Sequence, residues 1–497
     1  MHIAILSPYA TVIPHFEAEL DIAQQHLDAG DTVEFMNCTG GLTNCDFNVD
    51  RQQTRCDECV ARRQMGLSLL SPSPNCHSFS DDGSESKTYN LANQAQSLKT
   101  KFESVEELIN YKIDNFDIGY AVLSSVVSTC RDPEPDLAKH DALLVRFLKT
   151  AWQSYFQTLE FINQKSAKGQ PLDRVYVYNG RFAGMRGVFR ACQKLGVDCY
   201  LHERGCDPKH YELMKNHLPH DISMIEKAIK DGWQAAASNP DREKIAAGWF
   251  HDRVNRVEKA WHSFVKDQEA GRLPDDFDAS RKNVSIFCSS DDEFVAIGKE
   301  WHNDMYPNQV HAAKAISRDL FAAQPETHIY LRVHPNLKGV DNQRLRDALA
   351  LDLPNLTVIA PDAPVDTYEL VKSSDTVVSF GSSVGSEAIF WGKPSVLLGP
   401  CFYENLGGVY RSRSHEETIK LLCRDLEPQE KTAALMYGFW FQTRGFPHKH
   451  FEATGLFEGT FKGQIVHGAT TTARPPLRGL KKLRRRASQA FASLLGN

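Results

Sequence analysis

The sequence predicts an α/β protein with two Rossmann-like domains facing each other across a cleft. Three observations carry that reading. Short apolar runs such as HIAILS (2–7), IYLRV (329–333) and TVVSF (376–380) alternate with amphipathic stretches of helical period, the pattern of strands crossed by helices into a parallel sheet. The alternation occurs twice, over 1–221 and again over 283–425, with a charged, Trp-containing segment between. Polar clusters rich in Ser, Gly, His and acidic residues follow the second set of strands directly, where open parallel sheets hold their ligands.

Each element follows from its local pattern. Residues 2–7 predict a buried strand, 16–29 an amphipathic helix closed by Gly30, and 32–36 a second strand. Residues 71–95 are polar and Ser/Asn-rich and read as a surface loop. Helices are expected over 105–115 and 137–164. A β-α-β unit follows: a strand over 174–178, the turn Asn179-Gly180-Arg181, a helix over 182–195 closed by Gly196, and a strand over 198–202 ending at Glu203-Arg204-Gly205. Residues 222–282 read as a helical linker. The second domain opens with a strand over 284–288 that ends in Ser289-Ser290-Asp291-Asp292-Glu293. A helix over 309–323 precedes a strand over 328–333 that ends at His334-Pro335. A strand over 356–359, a helix over 367–373 and a strand over 376–380 lead to the turn 381–385, a helix from Ser386 and a strand over 395–398. Residues 426–473 read as a return helix and terminal segment, and 474–497 as a basic amphipathic tail.

Composition narrows the class. The chain has 497 residues, 41% hydrophobic and 24% charged, enough for two or three cored domains. A net charge of −6 argues against a general nucleic-acid binder. The tail from Arg474 carries seven Arg or Lys and no acid, so the rest of the chain stands at −13. Its Leu480, Leu483, Ala487, Phe491 and Leu494 recur at helical spacing among those cations, which suits an anionic inner-leaflet surface. The alternative is a disordered basic terminus. The N-terminus lacks a signal-peptide pattern and no run of ~18 apolar residues occurs. The expectation is a cytoplasmic protein associated peripherally with the cytoplasmic membrane. Twelve cysteines in such a compartment read as free thiols or metal ligands.

The chemistry-bearing residues sit at strand ends. In SFGSSVGSEAIFWGKP (379–394) the glycines, Gly385 among them, let backbone N–H groups approach a ligand. Ser382, Ser383 and Ser386 stand at a helix start that favours phosphate, and Glu387 is placed to accept from a ribose diol. A simple helix cap is the competing reading. Pro335 forces His334 out of helical geometry, leaving an imidazole to donate to a phosphate; a surface turn histidine is the alternative. Ser290, Pro335 and Lys338 are further candidate donor contacts; Lys338 and Arg332 are cations close to His334 in sequence, with a solvated face as the competing reading. In the first domain Glu203 is the candidate base, with Asp291, Asp292 and His15 as rivals and an Arg204-paired structural carboxylate as the competing reading. His15, Asn179 and Arg181 are candidate acceptor contacts, although Asn-Gly equally serves as a turn. Cys38, Cys45, Cys56 and Cys59 are candidate ligands of a structural zinc, the alternative being packed thiols.

RVHPNLK (332–338), SFGSSVGSEAIFWGKPSVLLG (379–399) and PCFYE (400–404) resemble the capsule polysaccharide biosynthesis glycosyltransferases, relatives of bacterial Kdo and sialic acid transferases. The resemblance covers mainly 283–404. It implies the GT-B arrangement and donor contacts from His334, Ser382 and Ser383. It also implies inverting, metal-independent transfer with no cofactor needed for catalysis, often from CMP-linked sugars to a polysaccharide or lipid-linked acceptor. Two other readings stand beside it: a CDP-polyol phosphotransferase of teichoic-acid type, and a non-enzymatic membrane-associated assembly factor. A nucleotide-sugar 2-epimerase would share the fold.

Overall fold

The computed structural model describes residues 1–79 and 98–467. The first sheet is built from β1 (His2–Ser7), β2 (Thr32–Cys38), β3 (Asn75–Phe79), β4 (Arg174–Tyr178), β5 (Asp198–Arg204) and β6 (His210–Lys215). A late strand, β13 (Phe446–Pro447), joins the same sheet after the chain has passed through the second domain. The order is β13-β6-β5-β4-β1-β2-β3, with the five strands from β5 to β3 parallel and β6 and β13 antiparallel. The second sheet contains β7 (Asn283–Phe287), β8 (His328–Arg332), β9 (Leu356–Ile359), β10 (Thr376–Ser379), β11 (Ser395–Leu397) and β12 (Tyr410–Arg411). Its order, β12-β11-β10-β7-β8-β9, is parallel throughout. Counted from its own first strand this is the doubly wound order 3-2-1-4-5-6, and the first sheet has the matching 3-2-1-4-5 core. Two Rossmann-like domains of the GT-B type are thus present.

The central strands are buried on both faces because helices cover both sides of a parallel sheet. All five residues of β7 and of β8 are buried, as are all four of β10. In the first domain the helix Asp141–Ala167 packs beside Ala183–Leu195 and Ile118–Cys130, with Phe147, Leu148, Tyr155 and Val126 in one core. On the other face the helix His15–Asp28 joins Ile3, Ile5 and Phe35 in a second core. That core also takes Phe451 and Phe461 from the hairpin β14 (Phe451–Gly455) and β15 (Glu458–Phe461).

Several expectations need correction. Part of the stretch read as a surface loop is β3, an edge strand paired in parallel with β2; its sequence NCHSF is mostly outward-facing, which hid it. Residues 80–95 of that stretch lie outside the described residues, as does the basic tail 474–497. The linker is helical only over Ile222–Ala235 and Arg242–Val254; residues 255–282 form an irregular strap. The two linker helices pack on the return helix Thr432–Thr443 and the second domain, through Ile225, Ile229, Tyr437 and Trp440, and through Phe250 stacked on Phe390 at 4.1 Å. The apolar helix Ile118–Cys130 had no polar face to give it a period and was not expected. No helix among the described residues is long and apolar enough to cross a membrane.

Candidate active site between the two sheets

Both sheets reverse strand order at their first strand, so each has a crevice at the carboxyl ends of the strands flanking that point. In the second sheet the crevice lies beyond β7 and β10. Just past β10 comes Gly381, whose φ of +107° and 2.4 Å clearance to the Pro400 carbonyl for any added Cβ explain a glycine there. The helix Val384–Phe390 then starts, with Gly385 in its first turn under Tyr403; a Cβ on Gly385 would lie 2.3 Å from the Tyr403 hydroxyl and 2.6 Å from Ser379 Oγ. Tyr403 also donates to the Ser382 carbonyl at 2.5 Å, fixing the turn from below.

Glu387 is fully buried at this helix start. Its Oε1 accepts from Ser383 Oγ at 2.9 Å and pairs with Arg253 Nε at 3.0 Å, while Arg253 Nη2 donates to Ser383 Oγ at 3.3 Å. Arg253 comes from the last turn of the linker helix Arg242–Val254, a cation that spacing alone did not single out. Ser382 Oγ accepts from Val384 N at 3.4 Å, so a capping contact does exist beside the phosphate reading. Ser386 is buried, and its hydroxyl finds no protein partner.

His334 stands just past β8. Its Nδ1 accepts from the Asn336 backbone N–H at 3.1 Å, so the neutral ring must carry its proton on Nε2 and present a donor. Burial pushes this imidazole down to about 4, with nearby Arg253, Arg332 and Arg131 acting in the same direction against Asp292. Asn336 in turn donates to Glu293 Oε1 at 2.7 Å and to Ser290 Oγ at 3.3 Å, and Ser290 donates to Asp292 Oδ1 at 2.7 Å. Ser290, His334, Ser383 and Glu387 therefore surround the ends of β7, β8 and β10. Pro335 opens the 3₁₀ turn Pro335–Leu337 that presents Asn336. Two predicted cations fall outside this group. Lys338 is half-exposed and pairs with Asp267 at 3.1 Å. Arg332 is buried and donates to the carbonyls of Ala360 and Ala363, holding the loop after β9.

The facing group belongs to the first sheet. Asn179, at the end of β4, has φ of 55° and is followed by Gly180 at 81°, which accounts for the Asn-Gly pair as turn chemistry. The same Asn179 side chain donates to Glu203 Oε2 at 2.8 Å, so it does more than turn the chain. Glu203 Oε1 accepts from its neighbour's N–H at 3.0 Å and lies 3.7 Å from His15 Nε2. His15 opens the helix His15–Asp28, against the Tyr178 ring at 4.0 Å, and burial with Arg204 and His202 nearby drives its pKa well down. The Arg204 guanidinium forms no hydrogen bond with the Glu203 side chain, which takes only the Arg204 backbone N–H. It donates to the carbonyls of Ile13 at 2.7 Å, Leu456 at 3.0 Å and Ala260 at 3.4 Å.

Rival carboxylates are committed elsewhere. Asp291, pushed up to about 6 by burial against the pull of Arg344, is held by Gln309 and by Arg344 at 3.1 Å. Asp292 pairs with Arg131 of the first domain. Arg181 reaches across to the Glu293 carbonyl at 2.5 Å and Arg186 to the Ile297 carbonyl at 2.9 Å. The 289–297 segment is thus the seam between domains as well as a wall of the crevice.

Cys38 and Cys45 pack against the core that holds Met36 and Leu42. Cys59 borders the core of the helix His15–Asp28, where its sulfur accepts from Ala10 N at 3.4 Å. Burial raises the pKa of Cys38 and Cys45, and Cys59 lies near enough to both that a thiolate there raises them further. Cys56 accepts from Asn48 Nδ2 at 3.2 Å. Among the described residues, the group whose ligand atoms converge is Cys206, Asp207 and His210, not these four. There Asp207 Oδ1 accepts from Lys209 N at 2.8 Å and lies 2.7 Å from His210 Nδ1, which closes the turn between β5 and β6.

Residues 253–437 match the family model described as "Capsule polysaccharide biosynthesis protein". That span holds Arg253, His334 and Ser382 to Glu387, the whole second-domain side of the crevice. No curated protein sequence matches the chain. Among solved structures, the Thermosulfurimonas dismutans KpsC beta Kdo 2,4 transferase is similar at 14% identity, over 54% of this chain and 79% of that one, with a TM-score of 0.36. A Methanocaldococcus jannaschii UDP-GlcNAc 2-epimerase is similar at 12% identity over 88% and 98%, TM-score 0.26. The spinosyn rhamnosyltransferase SpnG is similar at 14% over 89% and 96%, TM-score 0.26.

Proposed function

We propose that the chain transfers a sugar from a nucleotide-activated donor to a hydroxyl of a growing surface polysaccharide or glycolipid. The observation that carries this is the placement of Ser290, His334, Ser383, Glu387 and Arg253 around three neighbouring strand ends of one doubly wound sheet, within a segment that matches the capsule biosynthesis family. In this reading the helix start at Ser382–Gly385 and the Nε2–H of His334 hold the donor phosphates. Glu387, kept in place by Arg253, accepts from the ribose hydroxyls. The departing nucleotide gains charge as the glycosidic bond breaks, and a neutral donor plus oriented N–H groups stabilise that charge without reorganising.

Glu203 takes the acceptor proton. It is the strand-end carboxylate of the first domain that hydrogen bonds to Asn179 and its own chain leave outside the domain seam. A base on the acceptor side implies direct displacement and inversion at the anomeric carbon. The donor phosphates need no metal in this scheme, since N–H groups and the imidazole supply the positive field. CMP-linked sugars such as Kdo or a sialic-acid-like sugar are favoured on the resemblance of RVHPNLK and SFGSSVGSEAIFWGKP. We place the protein at the cytoplasmic membrane surface through its basic tail.

The test is to screen CMP, CDP, UDP and GDP by thermal shift, then to incubate the responding nucleotide's sugar conjugates with lipid-linked and oligosaccharide acceptors. One class should raise the melting temperature and release nucleoside phosphate in proportion to glycosylated product. Turnover of CDP-glycerol or CDP-ribitol would select polyol phosphate transfer instead. Product of retained anomeric configuration would remove Glu203 as a simple base.

A further inference from the structure

The strap that leaves the helix Arg242–Val254 runs past both halves of the crevice before reaching β7. It carries three large apolar side chains that are exposed within eight residues: Val257 at 47%, Trp261 at 49% and Phe264 at 38%. Exposed aromatics concentrated on one short segment are unusual for a surface that touches only water. The Phe264 ring lies edge-on to His334, centroids 5.4 Å apart, at the donor side. Trp261 lies on the acceptor side, where its ring faces the Arg204 guanidinium at 5.1 Å, and Arg204 is the residue next to Glu203. Phe457, at the tip of the β14–β15 hairpin, meets the same guanidinium at 4.5 Å, Trp261 at 5.5 Å and His262 at 5.2 Å.

Arg204 makes this arrangement rigid. Its contacts to Ile13, Leu456 and Ala260 fasten three separate pieces of chain together: the segment before His15, the hairpin tip and the strap. Beyond Phe264 the strap is fixed to the second domain, where Gln268 Oε1 accepts from Thr367 N at 2.9 Å and Glu269 N donates to the Pro364 carbonyl at 2.9 Å. The aromatic segment is therefore held from both domains, along the line that joins Glu203 to His334.

We propose that Trp261, with Phe457 and Phe264 beside it, is the shelf on which a pyranose ring of the acceptor glycan stacks, one sugar back from the hydroxyl that reacts. The inference rests on the glycosyl-transfer reading of the crevice. A pyranose has an apolar C–H face that suits an aromatic ring and an equatorial rim of hydroxyls that needs polar neighbours. The strap supplies such neighbours around the rings, in Glu258, His262 and Lys266, which form one ion-paired group flanking Trp261 and Phe264. A lipid tail would need an unbroken apolar channel, and these charged residues interrupt it. The Arg204 cation behind Trp261 and Phe457 stiffens the platform.

The experiment uses the full chain on a printed array of bacterial capsule and lipopolysaccharide oligosaccharides, with Trp261→Ala, Trp261→Phe and Phe264→Ala alongside wild type. Wild type should bind at least one glycan, Trp261→Ala should weaken that binding by about tenfold or more, and Trp261→Phe should stay within about threefold. Unchanged melting temperatures in the variants exclude misfolding, and Phe264→Ala gives a second reading if Trp261→Ala fails to fold. Loss of nucleotide thermal shift in wild type would refute the glycosyl-transfer reading by itself, whatever the array shows. Absence of wild-type glycan binding, or equal binding by Trp261→Ala, would overturn the shelf. So would a Trp261→Ala defect confined to flotation with phosphatidylglycerol vesicles, because that would make the aromatics a lipid contact.

Discussion

At the scale of single residues, the proposed reaction divides its chemistry between Glu203 and His334, and both are positioned by neighbours that spacing could not supply. Glu203 is held by Asn179 Nδ2 and a backbone N–H, so replacing it by Gln keeps size, removes basicity and gives up one of these two accepted hydrogen bonds. Glu203→Gln should lower transfer by about 100-fold or more while leaving the thermal shift by nucleotide intact; wild-type-like turnover would assign the proton to another group. His334 gives a pH prediction. The fold keeps its imidazole neutral down to about 4, whereas the unfolded chain protonates it near the ordinary 6.5. Between those values the unfolded state binds the extra proton, so His334 makes the fold less stable as pH falls through that window, and the loss levels off below it. The melting temperature of His334→Gln should therefore fall less than that of wild type between pH 7 and pH 5. Parallel curves would show that the ring is not held neutral. The same variant should bind the selected nucleotide about tenfold more weakly at pH 7, since it lacks the Nε2–H donor.

At the scale of elements, the strand-end motifs were legible because parallel strands announce themselves as buried apolar runs and their ligand groups must follow directly. His334, Ser382–Glu387 and Glu203 all stand at or just past strand ends, as that rule expects. Arg253 is not, because it arrives from a helix some 130 residues earlier in the chain, and only packing of Phe250 on Phe390 sets its angle. The strap was likewise hidden: its Trp and Phe spacing resembles a helix, yet carbonyl contacts to Arg204 and anchors at Gln268 and Glu269 decide its path. β3 escaped notice because an edge strand shows one face to water. The helix Val384–Phe390 offers a direct stability test. Gly385→Ala would push a methyl to 2.3 Å from the Tyr403 hydroxyl, a clash that shifts the turn 382–385. It should cost roughly 1–3 kcal/mol in chemical unfolding and abolish the nucleotide thermal shift. A variant as stable as wild type that still binds nucleotide would mean that Tyr403 moves aside freely and does not set the turn.

At the scale of the whole molecule, three arginines of the first domain bind one segment of the second: Arg131 at Asp292, Arg181 at the Glu293 carbonyl and Arg186 at the Ile297 carbonyl. That segment also carries Ser290, so the seam and the proposed donor site share a wall. Arg131→Ala leaves the nearly inaccessible Asp292 carboxylate without its ion pair, at a cost of roughly 2–3 kcal/mol. The variant should give a larger radius of gyration in solution scattering without nucleotide, and nucleotide should restore part of the difference. An unchanged radius and unfolding curve would show that the other two arginines suffice. Two domains of doubly wound type were readable from the repeated strand and helix pattern. How they meet was not, because side chains from distant positions write the seam.

The late strand β13 and the hairpin β14–β15 impose an order on biosynthesis. The helix His15–Asp28 buries Asp21, which accepts backbone N–H groups of Lys449 and His450 at 3.0 and 2.5 Å, and Glu212 of β6 is paired with Arg444 at 2.7 Å. A ribosome delivers those partners more than 200 residues after β6 has emerged. Through that interval the nascent first domain carries an unpaired sheet edge and a buried-to-be acid served by Gln25 alone among these donors, so its completion must wait for the second domain to be made. Pulse-labelled chains released before residue 444 should accordingly be more protease-sensitive in their first 220 residues than the same residues in the finished protein.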